Sequence, residues 1–113
     1  MSNETPITDP LKIEEEINRR FAERKEWARN TPDQLAPLKA ADGFTSSVQA
    51  SKYHYCQPRS NSGPYSHVEC GFPTELPLAW AEWAETPDTT DTVFPYIPLS
   101  VVASEFARRG GLV

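Results

Sequence analysis

A chain of 113 residues can form one domain with a modest hydrophobic core, and it is too short for a second independent domain. Hydrophobic residues make up 38% of it, below the roughly 45–50% of typical globular domains, and its 11 prolines indicate extended or irregular segments. The net charge of −5 argues against nucleic-acid binding, the lack of an apolar run of about 18 residues argues against a membrane span, and two cysteines are too few for a disulfide framework.

The chain starts with polar residues, so we expect a disordered tail over residues 1–8. This start lacks the basic and apolar regions of a signal peptide, which together with reduced cysteines indicates a cytoplasmic protein. Asp9 and Pro10 suit the N-cap and first position of a helix, and we predict an amphipathic helix over residues 9–30. Its apolar stripe would contain Ile13, Ile17, Phe21 and Ala28. Glu16 and Arg20 have the spacing of a stabilising ion pair on this helix.

Residues 31–45 contain prolines and an Asp-Gly turn signal, and we predict a linker there. The composition then becomes β-branched and aromatic, which predicts a β-hairpin with the strands SSVQASKYHYCQ and YSHVECGF. The turn-rich residues 58–64 would join the two strands. A loop of this length does not fix the pairing register by turn chemistry.

The remaining sequence predicts a short helix, an edge strand and a final helix. Helical spacing of Trp80 and Trp83 indicates a helix starting near Pro77. The segment TVFPYIP predicts a third strand, which its internal proline places at a sheet edge. The last helix would run from about Pro98 to Arg109 and close with Gly110 in the left-handed conformation.

These elements define an α+β fold. We expect the long N-terminal amphipathic helix to be followed by a small antiparallel sheet, formed by the hairpin and the edge strand. The sheet would pack with the short helix and the C-terminal helix. In this interpretation residues 46–113 form the small α+β domain.

The hairpin contains both histidines and both cysteines, which raises the question of a metal site. If Val68 and Cys70 face the core together with Tyr53 and Tyr55, the strand period of two places four potential ligands on the opposite face. These ligands, which would suit zinc, are His54, Cys56, His67 and Glu69. With the register shifted by one residue, His54 and Cys56 would instead share a face with Val68 and Cys70, and a different set would form.

The simpler interpretation is that the two histidines lie at the surface, Cys70 is partly buried as a small hydrophobic residue, and Cys56 has no special reactivity. The spacing differs from that of zinc fingers. A nucleophilic pair of Cys56 and His67 is a further alternative, but the sequence identifies no orienting group or oxyanion donor for it.

Four aromatic residues are candidates for contact with a partner protein, because tryptophan and tyrosine are enriched at binding hot spots. They are Trp27, Tyr65, Trp80 and Trp83. Trp80 and Trp83 could instead be core residues of a small domain. Residues 9–30, which contain Trp27, could cover the sheet or could form a homodimer with a second copy.

Three segments carry a family resemblance: SKYHYCQPR, GPYSHVECGFP and YIPLSVVASEFARRGG. These segments resemble small uncharacterised proteins of tailed bacteriophages and prophages, and the resemblance covers roughly residues 46–111. The resemblance implies an accessory factor that binds a host or defence protein, or one that regulates phage genes. It assigns no role to any single residue.

The sequence has no Gly-rich phosphate loop, no G-x-S-x-G elbow and no H-E-x-x-H helix, so enzymatic activity has no support. We hypothesise a non-catalytic, protein-binding accessory or regulatory factor that acts in the host cytoplasm. A variant of this hypothesis is an acidic mimic of nucleic acid. The alternatives are a small zinc-binding or thiol-dependent protein and a structural component that dimerises through its first helix.

Overall fold

The computed structural model describes residues 5–28 and 31–113, apart from the side chains of residues 27 and 28. The described elements, in chain order, are α1 (Pro10–Ala22), β1 (Glu26–Ala28), β2 (Thr31–Pro32), β3 (Leu38–Lys39), β4 (Thr45–Gln49), β5 (His67–Gly71), a 3-10 helix (Leu78–Trp83), β6 (Val93–Pro98) and α2 (Leu99–Arg108). None of the helices in these ranges has the length and apolar character needed to cross a bilayer.

The strands form an antiparallel sheet in the order β3-β4-β5-β6, and β1 and β2 form a separate two-stranded ribbon. This combination of helices with an antiparallel sheet confirms the α+β class. β6, which contains Pro95, lies at the end of the strand order, as its proline predicted. Val48 of β4 is paired with Cys70 of β5, and Val68 is paired with Ile97 of β6.

One face of the sheet and both helices share a single hydrophobic core. The sheet contributes Val48, Val68, Cys70, Phe94 and Ile97, and the helices contribute Ile13, Ile17, Phe21, Leu99, Val102 and Phe106. Trp80 of the 3-10 helix is fully buried and meets Phe44 and Phe94 edge to face, with ring centroids 5.9 and 5.4 Å apart. α1 is therefore part of the domain.

The long N-terminal helix is not confirmed, because α1 ends at Ala22 and residues 26–28 form β1. Asp9 does cap its start by accepting the N–H of Leu11 at 2.9 Å. At the other end, the guanidinium of Arg24 donates to the carbonyl oxygens of Phe21 and Ala50. The bond to Ala50 is a tertiary contact, and the helix ends here although the local sequence contains no helix breaker.

Two stretches expected to lie outside the domain contribute to the sheet region. Residues 31–45, predicted as a linker, contain β2, β3 and the core residues Leu38, Ala40 and Phe44. Ile7, in the predicted tail, exchanges two backbone hydrogen bonds of 2.9 Å with Leu112, which also bridges to Ala40. Residues 1–4 of the predicted tail lie outside the described residues.

The hairpin differs from the prediction in the length of its first strand. β4 ends at Gln49, and residues 50–66 form an irregular connection to β5. Tyr53 and Tyr55 are exposed, whereas the alternating strand pattern placed them in the core. Phe72 is also exposed, because its backbone turns into the left-handed region at the end of β5.

Candidate protein-contact surface

The connection over residues 50–66 is held in place by two buried side chains. Cys56 is 2% exposed, and its thiol donates a hydrogen bond to the carbonyl oxygen of Ser51 at 3.1 Å. Tyr65 is 3% exposed, and its hydroxyl donates to the carbonyl oxygen of Ser60 at 2.7 Å. Its ring also meets Phe21 of α1 edge to face, at 5.2 Å. These contacts give an irregular segment a defined conformation.

Helix α1 supplies further hydrogen bonds to the same connection. Asn18 accepts the N–H of Tyr65 at 2.8 Å and donates to its carbonyl oxygen at 3.2 Å, so one amide side chain satisfies both backbone groups. Arg24 donates to the Tyr65 hydroxyl at 3.3 Å. The connection is thus anchored at both ends, because Arg24 also binds the carbonyl oxygen of Ala50.

Between these anchors the connection presents tyrosines and basic residues to solvent. Tyr53 is 58% exposed, and Tyr55 is 44% exposed. The ring of Tyr55 lies 5.7 Å from that of Tyr96 on β6, which is also 44% exposed. Lys52 lies over the ring of Tyr53 and Arg59 over that of Tyr55, each 5.2 Å from the centroid. We call these five residues the tyrosine surface.

Tyr96 occupies an unusual backbone conformation for an aromatic residue, with φ of +53°. It lies in the irregular part of the β5–β6 ladder, and its N–H donates to the carbonyl oxygen of Tyr55 at 3.0 Å. Phe72 has a similar φ of +51° and is 59% exposed. Left-handed conformations of bulky residues are costly and concentrate at functional sites. Here the irregular ladder aims an aromatic ring outward at the edge of the sheet.

The predicted zinc ligands do not form a metal-binding group. His54 and Cys56 lie in the irregular connection, so the alternation that placed them on one strand face with His67 and Glu69 does not apply. The Cys56 side chain points inward, and Nδ1 of His67 pairs with the hydroxyl of Ser66 at 2.8 Å. Across the described ranges, no three His, Cys, Asp or Glu side chains are arranged to hold a metal ion.

Ser51, His54 and Glu69 form the arrangement closest to a catalytic one. The Ser51 hydroxyl lies 2.7 Å from Nδ1 of His54 and accepts the N–H of Tyr53 at 3.0 Å. Burial lowers the pKa of His54, while the nearby Glu69 carboxylate opposes this effect. Ser51 is only 1% exposed, so its hydroxyl cannot reach a substrate. The group therefore organises a turn of the connection.

The thiols are also poorly suited to nucleophilic chemistry. Burial raises the pKa of Cys56, and it raises the pKa of the fully buried Cys70 well above the usual thiol value. A nucleophilic cysteine requires the opposite shift and an accessible sulfur atom. The sulfur of Cys56, which would be the nucleophile in a pair with His67, has neither a lowered pKa nor access to solvent.

The four aromatic residues predicted to contact a partner do not belong to the tyrosine surface. Trp80 and Tyr65 are buried, which corrects their assignment as contact residues, because both fill the core of a small domain. Trp83 is half-buried and lines a groove of about 470 Å³ beside α2. Trp27 lies in β1, and its side chain is outside the described residues.

The exposed residues Tyr53, Tyr55 and Tyr96 were not among the predicted contact residues. Two of them, Tyr53 and Tyr55, lie in a stretch between Asp42 and Glu69 that contains no Asp or Glu, although the chain has 16 acidic residues. This acid-free stretch therefore differs in charge and composition from the rest of the chain.

Comparison of the chain with protein-family models, with curated proteins and with solved structures gives no match. The geometry and chemistry of the residues described above therefore carry the functional argument.

Proposed function

We propose that this protein is a non-catalytic binding factor that recognises another protein through its tyrosine surface. One observation carries the proposal: an anchored connection holds Tyr53 and Tyr55 exposed beside the exposed Tyr96 of β6, with Lys52 and Arg59 stacked on two of the rings. Exposed clusters of large aromatic side chains are uncommon on soluble domains without a binding role. Tyrosine and arginine are also the residues that dominate hot spots.

The composition of the connection supports a protein partner. Residues 51–66 read SKYHYCQPRSNSGPYS, which contains four serines, three tyrosines, one glycine and one asparagine. The same residues are enriched in antibody loops, because tyrosine supplies contact area at low entropic cost and the small polar residues supply adaptable hydrogen bonds. The anchors at Cys56, Tyr65 and Asn18 reduce the ordering that binding would require.

Recognition would use side chains, since the neighbouring sheet edge is not available for strand addition. The carbonyl oxygen of Val93 accepts the N–H of Glu85 at 3.0 Å, and Pro95 has no N–H. The N–H of Tyr96 is bonded to Tyr55. An added strand would find these backbone groups of β6 occupied or absent.

We further propose that the partner is a host or defence protein, on the basis of the resemblance to small bacteriophage proteins. The self-assembly alternative has less support, because the apolar stripe of α1 is buried in its own domain. A second copy would have to bind the charged outer face of that helix. The zinc and thiol alternatives lack an assembled ligand group or an accessible thiol among the described residues.

The experiment is affinity capture from a bacterial lysate with matched variants. The test variant is Tyr55→Ala with Tyr96→Ala, and the control is Leu11→Ala with Leu78→Ala, which removes two exposed hydrophobic side chains elsewhere. We expect a captured protein to be retained by the wild type and the control and lost by the tyrosine variant. Circular dichroism would verify that each variant is folded.

Crosslinking would locate the contact. A photoreactive phenylalanine at position 53 should crosslink to the captured protein, and the same group at position 78 should not. Equal capture by the tyrosine variant, or crosslinking from position 78 alone, would show that the tyrosine surface is not the binding site.

A further inference from the structure

Charge is distributed unevenly over this acidic molecule. The 26 residues between Asp42 and Glu69 carry Lys52, Arg59 and both histidines, and the 16 acidic residues all lie outside them. The tyrosine surface therefore forms a locally basic region on a protein with a net charge of −5. Such a region attracts groups of opposite charge more strongly than the rest of the surface does.

The two cations of this region are held differently from the arginines of the helices. Arg20 is paired with Glu16, and Arg109 is paired with Glu105 and Glu75. Lys52 and Arg59 form no ion pair with any residue in the described ranges. Both side chains are exposed, and their positions are set by tyrosine rings.

Contacts within the connection further define the position of Arg59. Its Nε donates to the carbonyl oxygen of Lys52 at 3.3 Å, which joins the two basic residues into one unit. The carboxylate of Glu69 accepts the N–H of Tyr55 at 3.4 Å and forms no ion pair with Lys52 or Arg59. The basic groups thus retain their capacity to bind an external carboxylate.

We infer that the partner of the tyrosine surface contributes an acidic peptide segment. Its Asp or Glu side chains would bind Lys52 and Arg59, and its apolar atoms would pack on Tyr53, Tyr55 and Tyr96. This inference rests on the proposed protein-binding function and specifies the chemistry of the partner. It explains why this stretch excludes acidic residues while the remainder of the chain is rich in them.

An acidic protein segment fits these observations better than a nucleic acid does. Nucleic-acid affinity depends on many phosphate contacts, and this surface offers two lysine or arginine side chains. The net charge of −5 would repel a long polyanion. A short segment with a few carboxylates avoids most of this repulsion.

The test uses a library of displayed 12-residue peptides of random sequence, selected on the intact protein. We expect the selected peptides to be enriched in Asp and Glu relative to the library. Fluorescence anisotropy would then measure one labelled peptide against Lys52→Glu with Arg59→Glu, which should weaken binding by at least about tenfold. The control, Lys12→Glu with Lys39→Glu, makes the same change in net charge at exposed positions elsewhere and should leave affinity within about twofold.

The outcomes separate this inference from the proposed function. Selected peptides that require Tyr55 and Tyr96 but are not acidic would overturn the inference and leave protein binding intact. Failure to select peptides that require these tyrosines would count against both. Labelled oligo-dT that binds more tightly than the peptides, with the same sensitivity to the Lys52 and Arg59 variant, would replace the acidic segment with single-stranded nucleic acid.

Discussion

At the scale of single residues, Gly111 is constrained by both its backbone and its neighbours. Its φ is +106°, and a Cβ added there would lie 2.7 Å from the carbonyl oxygen of Ile7. Gly111→Ala should therefore lower the free energy of unfolding by about 2–4 kcal/mol, because the left-handed conformation and the displaced Ile7 both contribute. Urea denaturation would measure the loss.

Gly43 provides the matched control for this substitution. Its φ is +99°, but an added Cβ would meet no atom within 4 Å. Gly43→Ala should lower the free energy of unfolding by only about 1–2 kcal/mol, which is the cost of the left-handed backbone conformation. Equal losses for the two variants would mean that the contact between residues 7 and 111 contributes nothing to stability.

Sequence reasoning succeeds at residues whose chemistry determines local geometry. Asp9 caps α1, and Gly110 adopts the left-handed conformation after α2, as predicted. It fails at Cys56 and Tyr65, because the burial of these side chains depends on a connection with no repeating pattern. Strand alternation also predicted the wrong exposure for Tyr55, since no strand forms at that position.

At the scale of elements, α1 stabilises the connection as well as the core. Asn18→Ala would leave both backbone groups of Tyr65 without their partner, at a cost of about 1–3 kcal/mol. Hydrogen exchange at the Tyr65 amide should accelerate in this variant. Glu15→Ala, an exposed change on the same helix, should alter stability by less than about 0.5 kcal/mol. Unchanged exchange at Tyr65 would show that Asn18 does not fasten the connection.

The predicted and observed first helices agree where the pattern is local and differ where the chain meets other elements. Arg20 pairs with Glu16 at 2.8 Å, as its spacing predicted. The guanidinium of Arg19, with a further contribution from Arg20 and against the effect of burial, lowers the pKa of Glu16 to about 2. The helix nevertheless ends at Ala22, and Arg24 beyond its end donates to the carbonyl oxygen of Ala50 in the connection.

At the scale of the whole molecule, the helices and the sheet should unfold together, because they share one core. Ile17 is fully buried, and Ile17→Ala should lower the free energy of unfolding by about 2–5 kcal/mol. Circular dichroism and hydrogen exchange at the β5 amides should report the same loss. Leu11→Ala is the control, since Leu11 is 69% exposed on the same helix. A loss seen by circular dichroism but absent at β5 would mean that α1 unfolds separately.

The tyrosine surface could not be predicted from the sequence, because tertiary contacts bring its residues together. Tyr55 and Tyr96 are far apart in the chain, and they meet only because residues 50–66 fold back toward β6. That return depends on Asn18, Cys56 and Tyr65, which the sequence presents as unrelated residues. Fold class follows from local patterns, whereas this surface follows from tertiary contacts of an irregular segment.

The pairing of Ile7 with Leu112 has a topological consequence. The backbone enters and leaves the fold at neighbouring points, separated by one pair of 2.9 Å hydrogen bonds. Such a unit can be spliced into a surface loop of another protein without stretching either flank. By the same geometry, a short peptide joining these two points would allow the chain to be reopened elsewhere, for instance in the exposed residues 85–88, as a circular permutant.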